Sequence, residues 1–347
     1  MIKLTLQFLN KNEPFIIAEI GNNHQGNLKK AFKLIEAAFE SGASAVKFQT
    51  RDNKSLYTES MYKMHYQNEN SFGDTYGEHR NFLELKKNDY IKLKKLSHKL
   101  GMFFISTPFD NESVELLNSI NIDAFKIASA DITNLELQKR IAKKNKIIFL
   151  STGGCKFIDI KRAVNNIKKF HNKLVILHCT ASYPSEIDDL NLLFIKKLVS
   201  YFPKNIIGLS DHENGIDAAP IAYMLGARVF EKHFTLNRAW KGTDHAFSLE
   251  PTGLKKFSRN LNRIKLMLGD GKKKIFKSEI KPIEKMSKSI VAKIDIEKGK
   301  RISKNDLCLK SPGGYMKPYE IKKIIGSIAS RNIKKHDFIK RNFYKRK

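Results

Sequence analysis

Short apolar runs, rich in β-branched and aromatic residues, alternate along most of the chain with longer amphipathic stretches. Such runs are typical of strands buried on both faces, and each one ends in polar residues. The stretches between them, such as NLKKAFKLIEAAFESGA, repeat apolar residues with the period of a helix. The runs are FIIAEIGNNH (15–24), AVKFQT (45–50), MFFISTPFD (102–110), AFKIASAD (124–131), IIFLSTGG (147–154), LVILHCTASYP (174–184), IIGLSDH (206–212) and RVFEKHF (228–234).

The order of these elements predicts the fold. Strands that alternate with helices form parallel sheets, and eight such units in roughly 230 residues fit the size of a (β/α)8 barrel. We therefore predict an α/β fold with a TIM barrel over residues 1–270. A long polar insert (51–85) follows the second strand and would lie at the catalytic face, as a lid or as a tolerated insertion.

The pattern changes after residue 270. Residues 271–286 are charged and are predicted to form a linker, and 287–347 a small β-rich domain. This last segment contains a weak repeat, because the stretches that begin at Ala292 and Ala329 match at an offset of 37 residues, pairing Ile296 with Ile333 and Ile302 with Ile339. Two similar halves indicate a compact pseudo-symmetric module.

The composition of the chain limits which partners and which cellular location it can have. The net charge of +29 raises nucleic acid as a partner, but the bases are scattered lysines and no nucleic-acid-binding motif is present. A positive field around an anionic small molecule is the better interpretation. No apolar stretch reaches the roughly 18 residues of a membrane span, and the three cysteines form no C-x-x-C pair, so we expect no membrane contact and a cytoplasmic location.

Polar residues at the strand ends predict one site, because barrel enzymes bring the carboxyl ends of their strands together. Lys47 and Lys126 need anionic partners if buried. Glu19 could be one partner, but the nearby hydroxyls favour a phosphate cradle. The residues at strand ends are Glu19, Lys47, Gln49, Thr107, Lys126, Ser129, Ser151, His178, Ser210, His212, Glu231 and His233.

His212 and His233 follow the seventh and eighth strands and can approach each other. Two imidazoles with few protein oxygens describe an open divalent-metal site that leaves positions for water and substrate. Hydrogen-bonded structural histidines are the alternative. His24, in the loop after the first strand, is a third candidate ligand.

The same residues carry a family resemblance. AEIGNNHQG, AVKFQT, STPFD, FKIAS, STGG, HCTASYP, IGLSDH and EKHFTLNRAWKGTDHAFSLEP, in this order, resemble the sialic acid synthase family. SIVAKIDIEKG and KSPGG resemble the antifreeze-like (SAF) domain, a small β-clip unit that these synthases carry after the barrel.

The resemblance implies a cytoplasmic transferase that condenses phosphoenolpyruvate with an open-chain N-acetylmannosamine-type sugar, giving a nine-carbon 2-keto acid and phosphate. His212 and His233 would bind Mn²⁺ or Mg²⁺, and Glu19 would orient a hydroxyl or accept a proton. Glu231 would support His233, and the loop WKGTDH (240–245) would close over the sugar, with Trp240 as part of that closure or only packed beneath the loop. The implied phosphoenolpyruvate contacts are Lys47, Thr107, Lys126, Ser129, Ser151 and Ser210, and the implied sugar contacts are Gln49, Tyr183 and Asp244, with Asp244 also counted as catalytic.

The resemblance also implies a domain-swapped homodimer in which the SAF domain caps the partner's barrel. Ser311 stands where the family has an arginine that reaches the partner's sugar, and Ala181 replaces an amide, so both departures concern the sugar. TYGEHR (75–80) resembles the branch that uses a 6-phosphorylated sugar. Legionaminic or pseudaminic acid synthases, other phosphoenolpyruvate–aldose barrels, a non-catalytic sugar-binding homologue and a basic nucleic-acid-binding protein remain alternatives.

Overall fold

The computed structural model describes residues 3–9 and 13–345, and the chain divides into two compact units, 1–268 and 269–347. The first unit is a closed barrel of parallel strands in sequential order, which confirms the predicted fold. Its strands are β1 Phe15–Gly21, β2 Ala45–Thr50, β3 Phe103–Pro108, β4 Ala124–Ile127, β5 Ile147–Ser151, β6 Leu174–Cys179, β7 Ile206–Asp211 and β8 Val229–His233.

Helices surround the barrel, and their apolar faces pack on it. In the helix Leu28–Glu40, the side chain of Asn27 accepts a hydrogen bond from the Lys30 amide and caps the first turn, while Leu34 and Ile35 are fully buried. The helices of this unit are α1 Leu6–Leu9, α2 Leu28–Glu40, α3 Asn53–Leu56, α4 Glu59–Tyr62, α5 Tyr76–Leu83, α6 Lys87–Lys99, α7 Asn111–Ser119, α8 Leu135–Ala142, α9 Phe157–Lys168, α10 Phe194–Tyr201, α11 Ala218–Met224 and α12 Pro251–Leu268, with 3-10 turns at Ser129–Asp131 and Ile187–Asp189.

The barrel interior is apolar at the amino end of the strands and polar at the carboxyl end. Leu4 and Leu9, from the segment before β1, join Phe15 and Phe149 in one apolar cluster that fills the amino end. The buried charged residues Glu19, Lys47, Lys126 and Glu231 belong to the strands that line the other end. The polar chemistry of the interior is therefore concentrated where barrel enzymes hold their substrates.

The 51–85 insert is folded. It contains α3, α4 and α5, and α5 begins with a capping box in which Thr75 accepts from the Glu78 amide and Glu78 accepts from the Thr75 amide. Tyr76 packs edge-on against Tyr57 and Tyr66, with ring centroids 5.1 and 5.3 Å apart. These contacts give the insert a small aromatic core of its own.

The second unit begins with a helix where the charge pattern predicts a linker, because residues 277–286 form α13 Lys277–Met286. Two residues that the predicted repeat pairs are in direct contact, because Ile296 and Ile333 exchange two backbone hydrogen bonds of 2.8 Å, and both are buried. The other elements are β9 Ser289–Ala292, β10 Leu307–Lys310, β11 Ile328–Ala329, β12 Tyr344–Lys345 and 3-10 turns at Lys304–Asp306, Pro318–Lys323 and Arg341–Phe343. No helix in the described ranges is long and apolar enough to cross a membrane.

Candidate active site

One cavity of about 530 Å³ opens at the carboxyl ends of the barrel strands. Every barrel residue to which the family resemblance assigns catalysis, metal binding or a substrate contact lines it. These residues are Glu19, Lys47, Gln49, Thr107, Lys126, Ser129, Ser151, Tyr183, Ser210, His212, His233 and Asp244. His24 and His178, also considered from sequence, are buried outside the cavity lining.

A chain of buried charges crosses the cavity. Lys47 Nζ lies 2.8 Å from Glu19 Oε2 and 3.6 Å from Glu231 Oε1, and Lys126 Nζ lies 2.8 Å from Glu231 Oε1. Burial alone would raise the pKa of Glu231, but Lys126 and Lys47 lower it to about 2. Burial would likewise lower the pKa of Lys47, which Glu19 and Glu231 raise. The lysines therefore have the carboxylate partners that burial requires and also line the cavity, while their role as a phosphate cradle stays a prediction.

Hydroxyl groups surround the lysine pair. Thr107 Oγ1 accepts a hydrogen bond of 3.1 Å from Lys47, and Ser210 donates one of 3.1 Å to Glu231. Ser129 Oγ accepts from the Gly153 amide at 3.0 Å. The buried hydroxyl of Ser151 has no hydrogen-bond partner within the described residues. Leaving a buried hydroxyl unpaired costs free energy, and a hydrogen bond from Ser151 to a bound anion would remove this cost.

The two predicted metal-binding histidines lie side by side, with ring centroids 5.4 Å apart. His212 Nδ1 lies 2.8 Å from the Thr180 carbonyl oxygen, so this nitrogen carries the proton and leaves Nε2 free. Burial, followed by the neighbouring His233, lowers the pKa of His212 to about 3, which keeps the ring neutral as a metal ligand must be. His233 Nδ1 is buried without a hydrogen-bond partner in the described chain and lies 3.7 Å from Asp244 Oδ2.

A metal site at these two histidines, as predicted from the sequence, would be an open one. Among residues 3–9 and 13–345, no three His, Cys, Asp or Glu side chains come together as a closed metal site. A two-histidine site must therefore draw its remaining ligands from water and substrate, as a Lewis-acid role requires.

The predicted sugar contacts adjoin this pair. Gln49 donates a 2.8 Å hydrogen bond to Glu19 Oε1 and accepts one of 2.5 Å from Arg51. The Tyr183 ring packs against His212, with centroids 4.2 Å apart. Ser311 belongs to the second unit, where its hydroxyl contacts Lys288 Nζ at 2.6 Å, and its contact with a partner's sugar stays a prediction.

The structure also shows the contacts of Glu231 and Trp240. Glu231 accepts hydrogen bonds from Lys126 and Ser210, and none joins it to His233 in the described part of the chain. Trp240 lies outside the cavity lining, and its ring contacts Lys30 at 4.2 Å and His245 at 5.8 Å. Trp240 therefore packs against Lys30 of α2 and against His245, while Thr243 and Asp244 of the same loop line the cavity.

Sequence reasoning missed Arg51 and Arg80, which both line the cavity. The Arg51 side chain is 5% exposed and its Nη1 lies 3.6 Å from Glu84 Oε1. Arg80 Nε donates a 3.1 Å hydrogen bond to Tyr76 Oη. Arg51 directly follows β2 and could have been identified as a strand-end residue, whereas the position of Arg80 depends on how the insert folds.

Known proteins are similar to this chain over most of its length. Residues 34–273 match the NeuB family and residues 287–342 match the SAF domain. The chain is 41% identical to N,N'-diacetyllegionaminic acid synthase of Campylobacter jejuni, over 94% of this chain and 98% of the relative. It is 35% identical to human N-acetylneuraminate-9-phosphate synthase, over 94% of this chain and 91% of the relative.

A solved structure is also similar. The N-acetylneuraminic acid synthetase of Leptospira borgpetersenii superposes with a TM-score of 0.68 at 35% identity, over 79% of this chain and 91% of that chain.

Proposed function

The chain belongs to the NeuB family of nonulosonate synthases, and from this membership we propose that it condenses phosphoenolpyruvate with an open-chain N-acylated hexosamine. The products are a nine-carbon 2-keto acid and inorganic phosphate. The observation that carries the proposal is the single cavity in which the Lys47–Glu231–Lys126 cluster and the His212–His233 pair lie together.

Phosphoenolpyruvate would bind at the lysine pair. Its carboxylate and phosphate would take hydrogen bonds from Lys47 and Lys126 and from the Ser151 hydroxyl, which has no partner among the described residues. Thr107, Ser129 and Ser210 lie beside these groups and would orient the phosphate. This arrangement would fix C3 of phosphoenolpyruvate toward the sugar aldehyde, which reduces the entropic cost of the bimolecular step.

Bond formation can then be written in balance. C3 of phosphoenolpyruvate attacks the aldehyde carbon, whose oxygen takes up a proton, while water adds at C2 and loses one. The resulting hemiketal phosphate expels phosphate and leaves the 2-keto acid. Glu19, held by Lys47 and Gln49 at 2.8 Å each, is the residue we assign to accept the proton.

We further propose that the site uses Mn²⁺ or Mg²⁺ held by His212 Nε2 and His233. When bound, the ion would polarise the aldehyde as a Lewis acid. Asp244, close to His233, would bind a sugar hydroxyl beside it.

The sugar would extend toward Gln49, Tyr183 and Asp244, with Arg51 and Arg80 beyond them. Two guanidinium groups can bind the phosphate of a 6-phosphorylated hexosamine or the acyl oxygens of an uncharged one. Relatives named for both kinds of product are similar to this chain, so the test must offer both sugars.

We also propose a homodimer. In the second unit, α13 and the residues after Gly314 expose apolar side chains, including Ile280, Ile283 and Tyr319, around a cavity of about 560 Å³. Contiguous exposed apolar surface is typical of a protein interface. Sedimentation velocity at micromolar protein concentration tests this, and a monomer would contradict it.

The decisive experiment measures phosphate release from phosphoenolpyruvate, with mass detection of the keto acid. The panel contains N-acetylmannosamine, its 6-phosphate and 2,4-diacetamido-6-deoxyhexoses, with Mn²⁺ and with a chelator. We expect chelator-sensitive turnover with one sugar at least about tenfold above the others, a difference of about 1.4 kcal/mol in the barrier. Lys126→Met should remain folded and lose turnover. No turnover with any sugar, by a folded protein that binds neither phosphoenolpyruvate nor Mn²⁺, would overturn the proposal.

A further inference from the structure

A second charged pair is buried next to the histidines but outside the cavity. Lys232 Nζ lies 2.6 Å from Asp211 Oδ2, and both side chains are 1% exposed. The two residues are direct partners in the β7–β8 ladder. Each immediately precedes a histidine of the site, Asp211 before His212 and Lys232 before His233. Neither side chain lines the cavity, as expected from the alternation of side chains along a strand.

Lys232 also holds the backbone on the far side of His212. Its ammonium group donates a 2.6 Å hydrogen bond to the Glu213 carbonyl oxygen, and Asp211 Oδ1 accepts one of 3.0 Å from the Glu213 amide. Asp211 is the residue before His212, and both members of the pair bind the backbone of Glu213, the residue after it. Because Lys232 belongs to β8, these contacts also fix the distance between the backbones that carry the two histidines.

Other contacts hold the same histidines. The His212 carbonyl oxygen accepts a 3.0 Å hydrogen bond from the Ser185 amide, and the His212 ring is bound to the Thr180 carbonyl at 2.8 Å. The His233 carbonyl oxygen accepts a 2.8 Å bond from the Leu249 amide. The Asp211–Lys232 pair is a buried side-chain ion pair that joins the two histidine-bearing strands on their outer face.

Stability alone is a poor account of such a pair. Removing two charges from water costs free energy that their attraction often fails to recover, and apolar residues of similar size commonly serve as well. A buried, directional ion pair does fix relative position, which apolar packing fixes less sharply. We propose that Asp211 and Lys232 are positioning residues that hold His212 and His233 at the separation needed to share one divalent cation. This inference rests on the metal role proposed for the two histidines.

The test is the Mn²⁺ affinity of the unreacted protein, measured by electron paramagnetic resonance of free Mn²⁺. In the double variant Asp211→Asn/Lys232→Met, both charges are lost and no buried charge is left unpaired. We expect its Kd for Mn²⁺ to rise at least about tenfold, the usual cost of losing a residue that orients a metal ligand. The KM for phosphoenolpyruvate, measured at saturating Mn²⁺, should stay within about twofold, since the lysine pair is untouched.

A matched control separates positioning from destabilisation. Leu93 is fully buried in α6, away from the site, and Leu93→Ala should destabilise the protein while leaving the Kd for Mn²⁺ unchanged. Equal Mn²⁺ binding by the double variant and the wild type would overturn this inference and leave the proposed function standing. Absence of Mn²⁺ binding by the wild type would contradict the metal role itself and this inference with it. If the double variant does not fold, Asp211→Asn alone must weaken Mn²⁺ binding, and an unchanged Kd overturns the proposal.

Discussion

The ammonium group of Lys126 lies 2.8 and 3.0 Å from the two carboxylate oxygens of Glu231, and both side chains are buried in the cavity wall. The two residues are 105 positions apart and belong to β4 and β8. Burial lowers the pKa of Lys126, with Lys47 acting in the same direction, while Glu231 acts against them. Glu231 is therefore the strongest of the groups that raise the pKa of Lys126 and favour its charged form.

This relationship predicts the behaviour of Glu231→Gln. Without the carboxylate, burial and Lys47 lower the pKa of Lys126 further, so the lysine loses its proton at lower pH. The alkaline limb of the pH profile of kcat/KM for phosphoenolpyruvate should move down by at least about one pH unit. Glu115→Gln, which removes the carboxylate of a half-exposed ion pair with Lys144, is the control and should leave the profile unchanged. An unshifted alkaline limb in Glu231→Gln would contradict this role.

Arg80→Gln should raise the KM for the sugar and leave the KM for phosphoenolpyruvate unchanged. Arg80 lines the cavity and forms no ion pair within the described residues, so its charge is available to a ligand. A charge-assisted hydrogen bond contributes about 1.5–3 kcal/mol, so the KM for the sugar should rise about tenfold or more. A larger loss for the 6-phosphate than for the free sugar would assign Arg80 to the phosphate. Arg140→Gln, at an exposed ion pair, is the control, and an equal rise in the KM for phosphoenolpyruvate would refute the assignment.

The barrel and most of its site could be predicted because both follow local rules. Apolar runs identify the strands. If the strands form a barrel, the residues at their carboxyl ends must lie close together. Arg80 could not be placed this way, because its position depends on the capping box at Thr75 and the packing of Tyr76 within the insert. The family resemblance implies that Glu231 supports His233. In the fold, the Glu231 carboxylate accepts a hydrogen bond from Lys126. The two residues are 105 positions apart, so this contact is not evident from the sequence.

The second unit shows the same limit. Residues 271–286 are rich in lysine and contain Pro282, which favours a linker, yet the structure forms α13 there. Glu279 caps this helix by accepting a 2.8 Å hydrogen bond from the Phe276 amide. Charge composition does not distinguish a solvated helix from a linker, because local capping contacts also determine whether the segment forms a helix.

Acid should destabilise the barrel through His24. This residue is 1% exposed, and burial, with a smaller effect of Lys30, lowers its pKa to about 3. As the pH falls below about 6.5, this histidine becomes protonated in the unfolded chain but not in the folded chain. The free energy of unfolding therefore decreases as the pH decreases. Between pH 7 and pH 5 the contribution is about 2 kcal/mol.

Urea unfolding followed by the fluorescence of Trp240, the single tryptophan, measures this effect. His24→Gln should lose about 2 kcal/mol less than the wild type between the two pH values. The exposed His65 provides the control, since His65→Gln should keep the full pH dependence. An identical pH dependence in His24→Gln would show that another group carries the acid sensitivity.

The loop that carries Asp244 should depend on Gly242 and Asn70. The Gly242 amide donates a 2.8 Å hydrogen bond to Asn70 Oδ1 of the insert, which ties the insert to the loop. Gly242 has φ +139°, and a Cβ there would lie 2.8 Å from His245 Cδ2. Gly242→Ala therefore combines a strained backbone, costing on the order of 1–3 kcal/mol, with a clash against a buried ring. The KM for the sugar should rise, while that for phosphoenolpyruvate should not, because Asp244 lies on the sugar side.

Two further variants separate the contributions. Asn70→Ala removes only the acceptor, at a cost of about 1 kcal/mol, so it should raise the KM for the sugar about fivefold without changing the backbone of the loop. Gly101→Ala introduces the same kind of strain at φ +81°, with nothing within 4 Å of the added Cβ, and should lower stability without changing either KM. If Gly101→Ala and Gly242→Ala alter sugar binding equally, general destabilisation explains both. If only Gly242→Ala and Asn70→Ala do so, the contact between insert and loop holds Asp244 in place for the sugar.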